Sequence, residues 1–199
     1  ESIETSFGYD TGKTIPESRI FNKELTGGAI LDVGLYPISF SRLISGVATG
    51  EKFLEPNFIN AEGRIGDTGV DEVAHANLEF KNGIKAKVST AIRESMKNNA
   101  IIIGSEGTIE LPDPWMPGRN GGPYHAKIII NKNGQEEVIE LKGPEHLFFF
   151  EAELASQCIA KEKIQPPHPA MTWEDTLGNL KALDTWRDII DYKLPQDEI

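Results

Sequence analysis

The stretch Val73-Ala74-His75-Ala76-Asn77-Leu78-Glu79-Phe80, followed by Lys81-Asn82-Gly83 and then Ile84-Lys85-Ala86-Lys87-Val88-Ser89-Thr90-Ala91-Ile92, reads as two strands joined by a tight turn. Both runs alternate with a period of two, the period with which strand side chains change face. Asn82-Gly83 readily takes the positive φ angles of a type I′ turn, so an antiparallel hairpin is expected here. Working outward, the β character extends from about Asn57 to about Leu141. Ala100-Ile101-Ile102-Ile103 is a short apolar strand, and Gly104-Ser105-Glu106-Gly107 turns it into a strand over 108–111. Residues 112–123 are rich in Pro and Gly and read as a loop. Residues 126–130 and 137–141 form a second candidate hairpin around Asn133-Gly134.

Upstream, Ile3-Glu4-Thr5-Ser6-Phe7-Gly8-Tyr9 alternates as a strand, and a polar stretch then runs to about Glu24. Beyond it, Ile38, Phe40, Leu43 and Ile44 supply a helix-like apolar face that ends at Gly46. Downstream, residues 147–160 read as a largely apolar helix whose polar side is Glu151, Glu153 and Gln157. Gln165-Pro166-Pro167-His168-Pro169 interrupts the helices. Thr172, with Asp175 three residues on, caps a last helix whose expected inner face is Trp173, Leu177, Leu180, Leu183 and Ile190. Strand, helix, a run of antiparallel strands and then two helices argue for an α+β fold. Without internal repeat or boundary, residues 1–199 are expected to form one domain.

Composition narrows the function classes. The 199 residues are 39% hydrophobic and 26% charged, with a formal net charge of -11. An acidic surface repels phosphate backbones and anionic lipid, so neither nucleic acid nor membrane is an expected partner. No apolar run is expected to span a bilayer. Cys158 is the single cysteine, which excludes an internal disulfide and a cysteine zinc site and suits a cytoplasmic location. The chain opens inside a strand without an initiator Met, and a piece of a longer protein is the expectation.

The chemistry concentrates in Gly27-Gly28-Ala29-Ile30-Leu31-Asp32-Val33-Gly34-Leu35-Tyr36-Pro37. The paired glycines allow backbone to pass close to another surface. Asp32 and Tyr36 are four apart, so a helix starting near Asp32 puts both on one face at its positive end. A phenol beside a carboxylate there could hold a substrate hydroxyl or relay its proton. Spacing alone reads more often as an N-cap and a packing tyrosine. Pro37 fits best in the first turn of a helix that starts a few residues after Asp32.

These residues, with Arg42, Gly46, Asp71, Leu78-Glu79-Phe80, Gly83, Gly104-Ser105-Glu106-Gly107-Thr108-Ile109 and the closing Glu151…Trp173-Glu174-Asp175 pattern, resemble the Gfo/Idh/MocA oxidoreductases over nearly the whole chain. The resemblance implies an open, mainly antiparallel sheet with helices on one face, like the C-terminal domain of glyceraldehyde-3-phosphate dehydrogenase. An N-terminal Rossmann domain, absent here, would bind NAD or NADP, so no cofactor-binding residue and no metal ligand are expected in this chain. The resemblance further implies a sugar, polyol or diol substrate between the domains and a homo-oligomer built through the sheet face. Tyr36 stands at the family's catalytic Tyr/His position, similar to the branches acting on dihydrodiols and on glucose and fructose. Asp32 stands where a substrate-orienting carboxylate is usual, and Arg19 where some Tyr-type members carry a basic residue.

Two departures limit the transfer. The family's Glu-Lys-Pro motif, whose lysine helps proton transfer, is matched only by Glu51-Lys52-Phe53, which follows the Asp32 segment instead of preceding it. No Gly-x-Gly-x-x-Gly follows a strand, and Gly63-Arg64-Ile65-Gly66-Asp67-Thr68-Gly69 has the wrong spacing. The isolated chain is therefore expected to be inactive. The rival expectation is a non-catalytic oligomerisation module that kept the sheet alone.

Minor candidates carry bland readings beside sharp ones. His146 could approach the substrate cleft, whereas His75 reads as a hydrogen-bonded structural residue. Cys158 reads as packing on a buried helix, and Leu147-Phe148-Phe149-Phe150 as a core helix start with a ligand pocket or subunit contact as its alternative. Asp71-Glu72 reads as a solvated turn, and Gly118-Arg119-Asn120-Gly121-Gly122 as a surface loop with an anion site as its alternative.

Overall fold

The computed structural model describes residues 1–118 and 122–198, so the middle of the 118–122 glycine run lies outside the described residues. Eight strands form one sheet in the order β2-β3-β4-β1-β5-β6-β7-β8. They are β1 (Ser2–Gly8), β2 (Pro56–Ile65), β3 (Asp71–Phe80), β4 (Lys85–Ala91), β5 (Ala100–Ile103), β6 (Gly107–Leu111), β7 (His125–Lys132) and β8 (Gln135–Lys142). Neighbours pair antiparallel except β1 and β4, which run parallel. Helix α1 (Leu35–Val47) and helix α3 (Trp173–Ile189) pack against each other and against the β1–β4 half, while the start of α2 (Leu147–Ala160) shares a cavity wall with the end of β1. The open α+β sheet with helices on one face is thus the architecture found.

The two hairpins reach the same reversal by different turns. In the β3–β4 hairpin only Gly83 has positive φ (82°), not Asn82. The Gly83 N–H donates to the Phe80 carbonyl at 2.8 Å, and the Phe80 N–H to the Ile84 carbonyl at 2.9 Å. This is a three-residue loop ending in a left-handed glycine, which replaces the expected type I′ turn. Asn82 is held instead by its side-chain amide, which donates to the Ser45 carbonyl at 3.0 Å. The β7–β8 hairpin does carry positive φ at both Asn133 (53°) and Gly134 (75°), the type I′ pattern.

The core lies between the helices and β1–β4. Ile3, Ile38, Leu78, Val88 and Trp186 are almost wholly buried there. Each such side chain contributes about 1.5–3 kcal/mol by leaving water. Arg42 of α1, 1% exposed, ties this layer together. Its guanidinium donates to Glu55 at 2.6 and 3.2 Å, to Asn179 Oδ1 at 2.7 Å and to the Asp175 carbonyl at 3.1 Å. That anchor selects the inner face of α3. Asn179, Ala182, Leu183, Trp186 and Arg187 are buried, while Trp173 (56%), Leu177 (62%) and Leu180 (48%) face outward, against expectation. Gly178 is required at the contact, because a Cβ there would stand 2.0 Å from the Arg42 guanidinium.

Several other expectations are corrected. Asp71 and Glu72 are buried (0% and 8%) because they open the inner strand β3. Helix α2 is not a core helix: Phe148 (59%), Phe149 (46%) and Ile159 (76%) are exposed, and from residue 101 to residue 177 only Cys158 is fully buried among the described residues. The face turned away from the helices differs between the two halves of the sheet. On β1–β4 it carries Glu4 opposite Lys87 and Glu79 opposite Lys85. By the register, β5–β8 carry apolar side chains on both faces, with Ile109, Ile130 and Ile139 on the helix side and Ile101, Ile103, Ile129 and Val138 on the other. Finally, Lys23–Val47 is long and apolar enough by composition to cross a membrane, although none was expected; half of its window (50%) is buried in the fold, as in a core helix.

Two outcomes follow. Arg42→Ala removes four hydrogen bonds and a buried anchor, and since Glu55 stays half exposed and solvated, urea denaturation should show a loss of about 2–4 kcal/mol. Burial pushes the Asp71 carboxyl up from its ordinary 3.8 to about 7, against the pull of nearby amides. Between those values the folded state holds a proton that the unfolded state has lost, so this group makes stability fall as pH rises from about 4 to about 7. Asp71→Asn should flatten that part of the stability–pH curve.

Candidate active site

The site begins with backbone that has almost no room. A Cβ at Gly27 would lie 2.6 Å from the Ile20 carbonyl oxygen, and one at Gly28 only 2.0 Å from Asp71 Oδ1. Gly28 also has a φ of 106°, open to glycine and strained for other residues. The Gly28 N–H donates to the Ile20 carbonyl at 2.9 Å. The Tyr192 hydroxyl donates to the Gly27 carbonyl at 2.7 Å, and the Thr90 hydroxyl to the Ala29 carbonyl at 3.1 Å. Ile30 N–H donates to Asp71 Oδ2 at 2.8 Å.

From this clamp the chain enters a π-helical turn, Ile30–Gly34, and only then the regular helix α1. Pro37 supplies the reason: it has no N–H for the Val33 carbonyl, and its ring crowds that carbonyl, so the winding loosens just before it. Asp32 lies in the wide turn and Tyr36 in the first turn of α1.

Asp32 is nearly enclosed, its side chain 12% exposed. The Tyr9 hydroxyl donates to Oδ2 at 2.6 Å, and the Arg19 guanidinium donates to Oδ1. Burial first, and then the hydrogen bond to Asp32, push the Tyr9 hydroxyl well above the ordinary tyrosine range. A carboxylate accepts along about four lone-pair directions, so Asp32 keeps capacity for one more donor from the cavity. Tyr36 is 43% exposed. Its ring meets Phe7 edge-on at 5.2 Å and lies 6.0 Å from Trp115, whose indole N–H donates to the Ser6 carbonyl at 2.8 Å.

These residues line a cavity of about 520 Å³ between β1, the π-turn, the 112–118 segment and the start of α2. Phe7, Tyr9, Tyr36, Trp115 and Phe148 make its aromatic wall, and Asp32 and Glu151 its carboxylates. Among the described residues no lysine or arginine lines it, and Arg19 is engaged by Asp32. Carboxylates beside aromatic faces can take a ligand that carries both hydroxyl groups and an apolar ring face.

Of the residues singled out from sequence, Asp32 and Tyr36 meet at this cavity, and Arg19 touches Asp32. His146 does not line it; its Nδ1 accepts from the Phe148 N–H at 3.3 Å as the cap of α2. His75 faces the Ser89 hydroxyl at 2.8 Å on the open sheet face. Sequence reading missed Tyr9, Trp115 and Glu151 as site residues, and it ranked a ligand pocket at Leu147-Phe148-Phe149-Phe150 below a core helix start, whereas Leu147 and Phe148 line the cavity. Tyr9 ends the opening strand two positions past Phe7, and Trp115 is the one large aromatic in the Pro-rich loop, signals available but not specific. Among the described residues no group of three or more His, Cys, Asp or Glu could hold a metal. Residues 63–69 end β2 and turn into β3 without a helix start.

Comparisons with known proteins agree on one family. The sequence profile described as the GFO/IDH/MocA C-terminal domain matches residues 1–110. A trans-1,2-dihydrobenzene-1,2-diol dehydrogenase from Mus musculus is 26% identical over 96% of this chain and 54% of its own length. The Xenopus tropicalis protein of that name is 31% identical over 83% of this chain and 47% of its own length. The chain thus spans about half the length of the curated relatives it matches. Among solved structures, an aldose-aldose oxidoreductase from Caulobacter crescentus complexed with glycerol superposes with a TM-score of 0.75, at 20% identity, over 96% of this chain and 53% of that one. A 3-ketoreductase from Actinomadura kijaniata, solved with NADP and TDP-benzene, also gives 0.75, at 22% identity over 95% of this chain and 53% of that one. At these identities the structures speak for the fold.

The hydrogen bond into Asp32 can be read in solution. In Asp32→Asn the Tyr9 hydroxyl loses a charged acceptor, so its titration, followed by tyrosinate absorbance or ring carbon shifts, should move down toward the ordinary range.

Proposed function

Since the chain belongs to the Gfo/Idh/MocA oxidoreductase family, we propose that it is the substrate-binding half of an NAD(P)-dependent enzyme that interconverts a CH–OH carbon and its carbonyl in a neutral sugar, polyol or diol. The observation that carries this is the shared cavity wall of Tyr36 and Asp32, an exposed phenol beside a carboxylate already held by two donors. NAD or NADP, held by a nucleotide-binding domain outside these residues, is the hydride partner in this reading, and the NADP in the complex of the Actinomadura kijaniata relative supports it.

Within the cavity each side chain has one task. Asp32 accepts a hydrogen bond from a substrate hydroxyl and so orients the carbon beside it. Its own orientation is set by Tyr9 and Arg19, which occupy one direction on each oxygen. Tyr36 acts as phenolate to take the proton of the reacting hydroxyl in oxidation, and as phenol it returns that proton in reduction. The aromatic wall excludes water and packs against the apolar face of the substrate ring. The diol named for the Mus musculus relative and the glycerol bound to the Caulobacter crescentus relative are both neutral and hydroxylated, which supports this substrate class. A second copy bound through the sheet, a partner nucleotide-binding domain and a cytoplasmic site of action complete the proposal; the uncovered isoleucines of β5–β8 favour some covering surface.

The test is steady-state kinetics on the full-length protein with NADH and NADPH against a panel of neutral diols, polyols and sugars. Tyr36→Phe should lower kcat about a hundredfold or more with a small change in KM, as loss of a proton-transfer group does. Asp32→Asn should act on KM as well. Wild-type kcat in Tyr36→Phe would remove the tyrosine from the mechanism.

A further inference from the structure

One buried carboxylate has no task in the chemistry above, although it lies directly under the turn that carries that chemistry. Asp71 is 0% exposed. Its Oδ2 accepts the Ile30 N–H at 2.8 Å, and the Ala29 amide also faces the carboxylate. These are the leading amides of the π-turn, which no winding of that turn can satisfy from within. A carboxylate at this end is further favoured by the partial positive charge of the helix start. Against its other oxygen stands Gly28, where even a Cβ would come within 2.0 Å. The turn therefore cannot move toward β3 without striking the carboxylate, nor away without leaving a buried N–H unpaired. Tyr192 and Thr90 hold the carbonyls of Gly27 and Ala29, while Asp71 holds the amide. Asp32 is two residues further along.

We propose that Asp71 is a positioning residue: by gripping the amide end of the π-turn it sets where the Asp32 carboxylate and the Tyr36 hydroxyl stand in the cavity. The consequence for turnover rests on the reading of that cavity as a reaction site, but the grip itself is read without activity. The charged and titratable groups acting on Asp71 from its surroundings are Arg187 at the end of α3 and Tyr192 beyond it, and neither donates a hydrogen bond to it.

The experiment is amide hydrogen exchange on the intact protein, beside kcat, for the wild type, Asp71→Ala and Asp71→Asn. In Asp71→Ala the amides of residues 30–36 should exchange about tenfold faster or more, with β3 and β4 at wild-type protection and kcat reduced about tenfold. Asp71→Asn keeps an oxygen acceptor and should restore both to within about threefold. Unchanged exchange over 30–36 in Asp71→Ala, or a uniform rise through β3 and β4, overturns the proposal. Should Asp71→Ala fail to fold, Gly28→Ala pushes on the same carboxylate from the opposite side, and it must give the same local rise or the proposal falls. If the wild type turns over no neutral diol while the exchange pattern appears, the reaction-site reading fails and the grip of Asp71 on the turn stands.

Discussion

Close approach of backbone to buried polar groups at Gly27-Gly28 governs how the site is built. On one side is the Ile20 carbonyl, on the other the Asp71 carboxylate, and neither leaves space for a side chain. A buried polar group must find a partner or cost stability: the Ile20 carbonyl takes the Gly28 N–H and Asp71 Oδ2 takes the Ile30 N–H, while Asp71 Oδ1, pressed against Gly28, is left without a partner. Because Asp71 opens an inner strand of the sheet, it fixes where the turn stands. The loosened winding before Pro37 then determines how Asp32 and Tyr36 stand relative to each other.

The energy that holds this arrangement is unevenly spread. The β1–β4 half has α1 and α3 upon it and a dense interior around Trp186, and the Arg42 cluster fastens the two helices. The β5–β8 half has almost no interior of its own, and α2 turns phenylalanines toward solvent. The cavity lies where these halves meet: Tyr36, Asp32 and Phe7 come from the well-packed side, Trp115 and Phe148 from the sparse one. Polar chemistry thus rests on rigid elements, and the apolar wall on the more weakly held ones.

Much of the fold was legible because its signals are local. Alternation located the strands, Asn-Gly located both reversals, and the Thr172–Asp175 capping box located the start of α3. What was misread depends on tertiary context. Leu177 and Leu180 look inward-facing by periodicity, yet Arg42 demands Asn179 and Gly178 instead. Asp71-Glu72 looks like a solvated turn until the strand that it opens is known to be interior. Likewise, Asp32 and Tyr36 were legible from spacing and resemblance, whereas Tyr9 and Trp115 reach the site through pairings and a loop path that one sequence does not display.

The parallel pairing of β1 with β4 also constrains how the chain reaches this state. The first strand sits in the middle of the sheet, its neighbours being residues 85–91 on one side and 100–103 on the other. A central strand that must wait for partners so distant in sequence raises the contact order and slows the search. During synthesis β1 stays an unpaired edge until residues 85–103 have emerged, and it is then that the chain is most exposed to wrong strand pairing and aggregation.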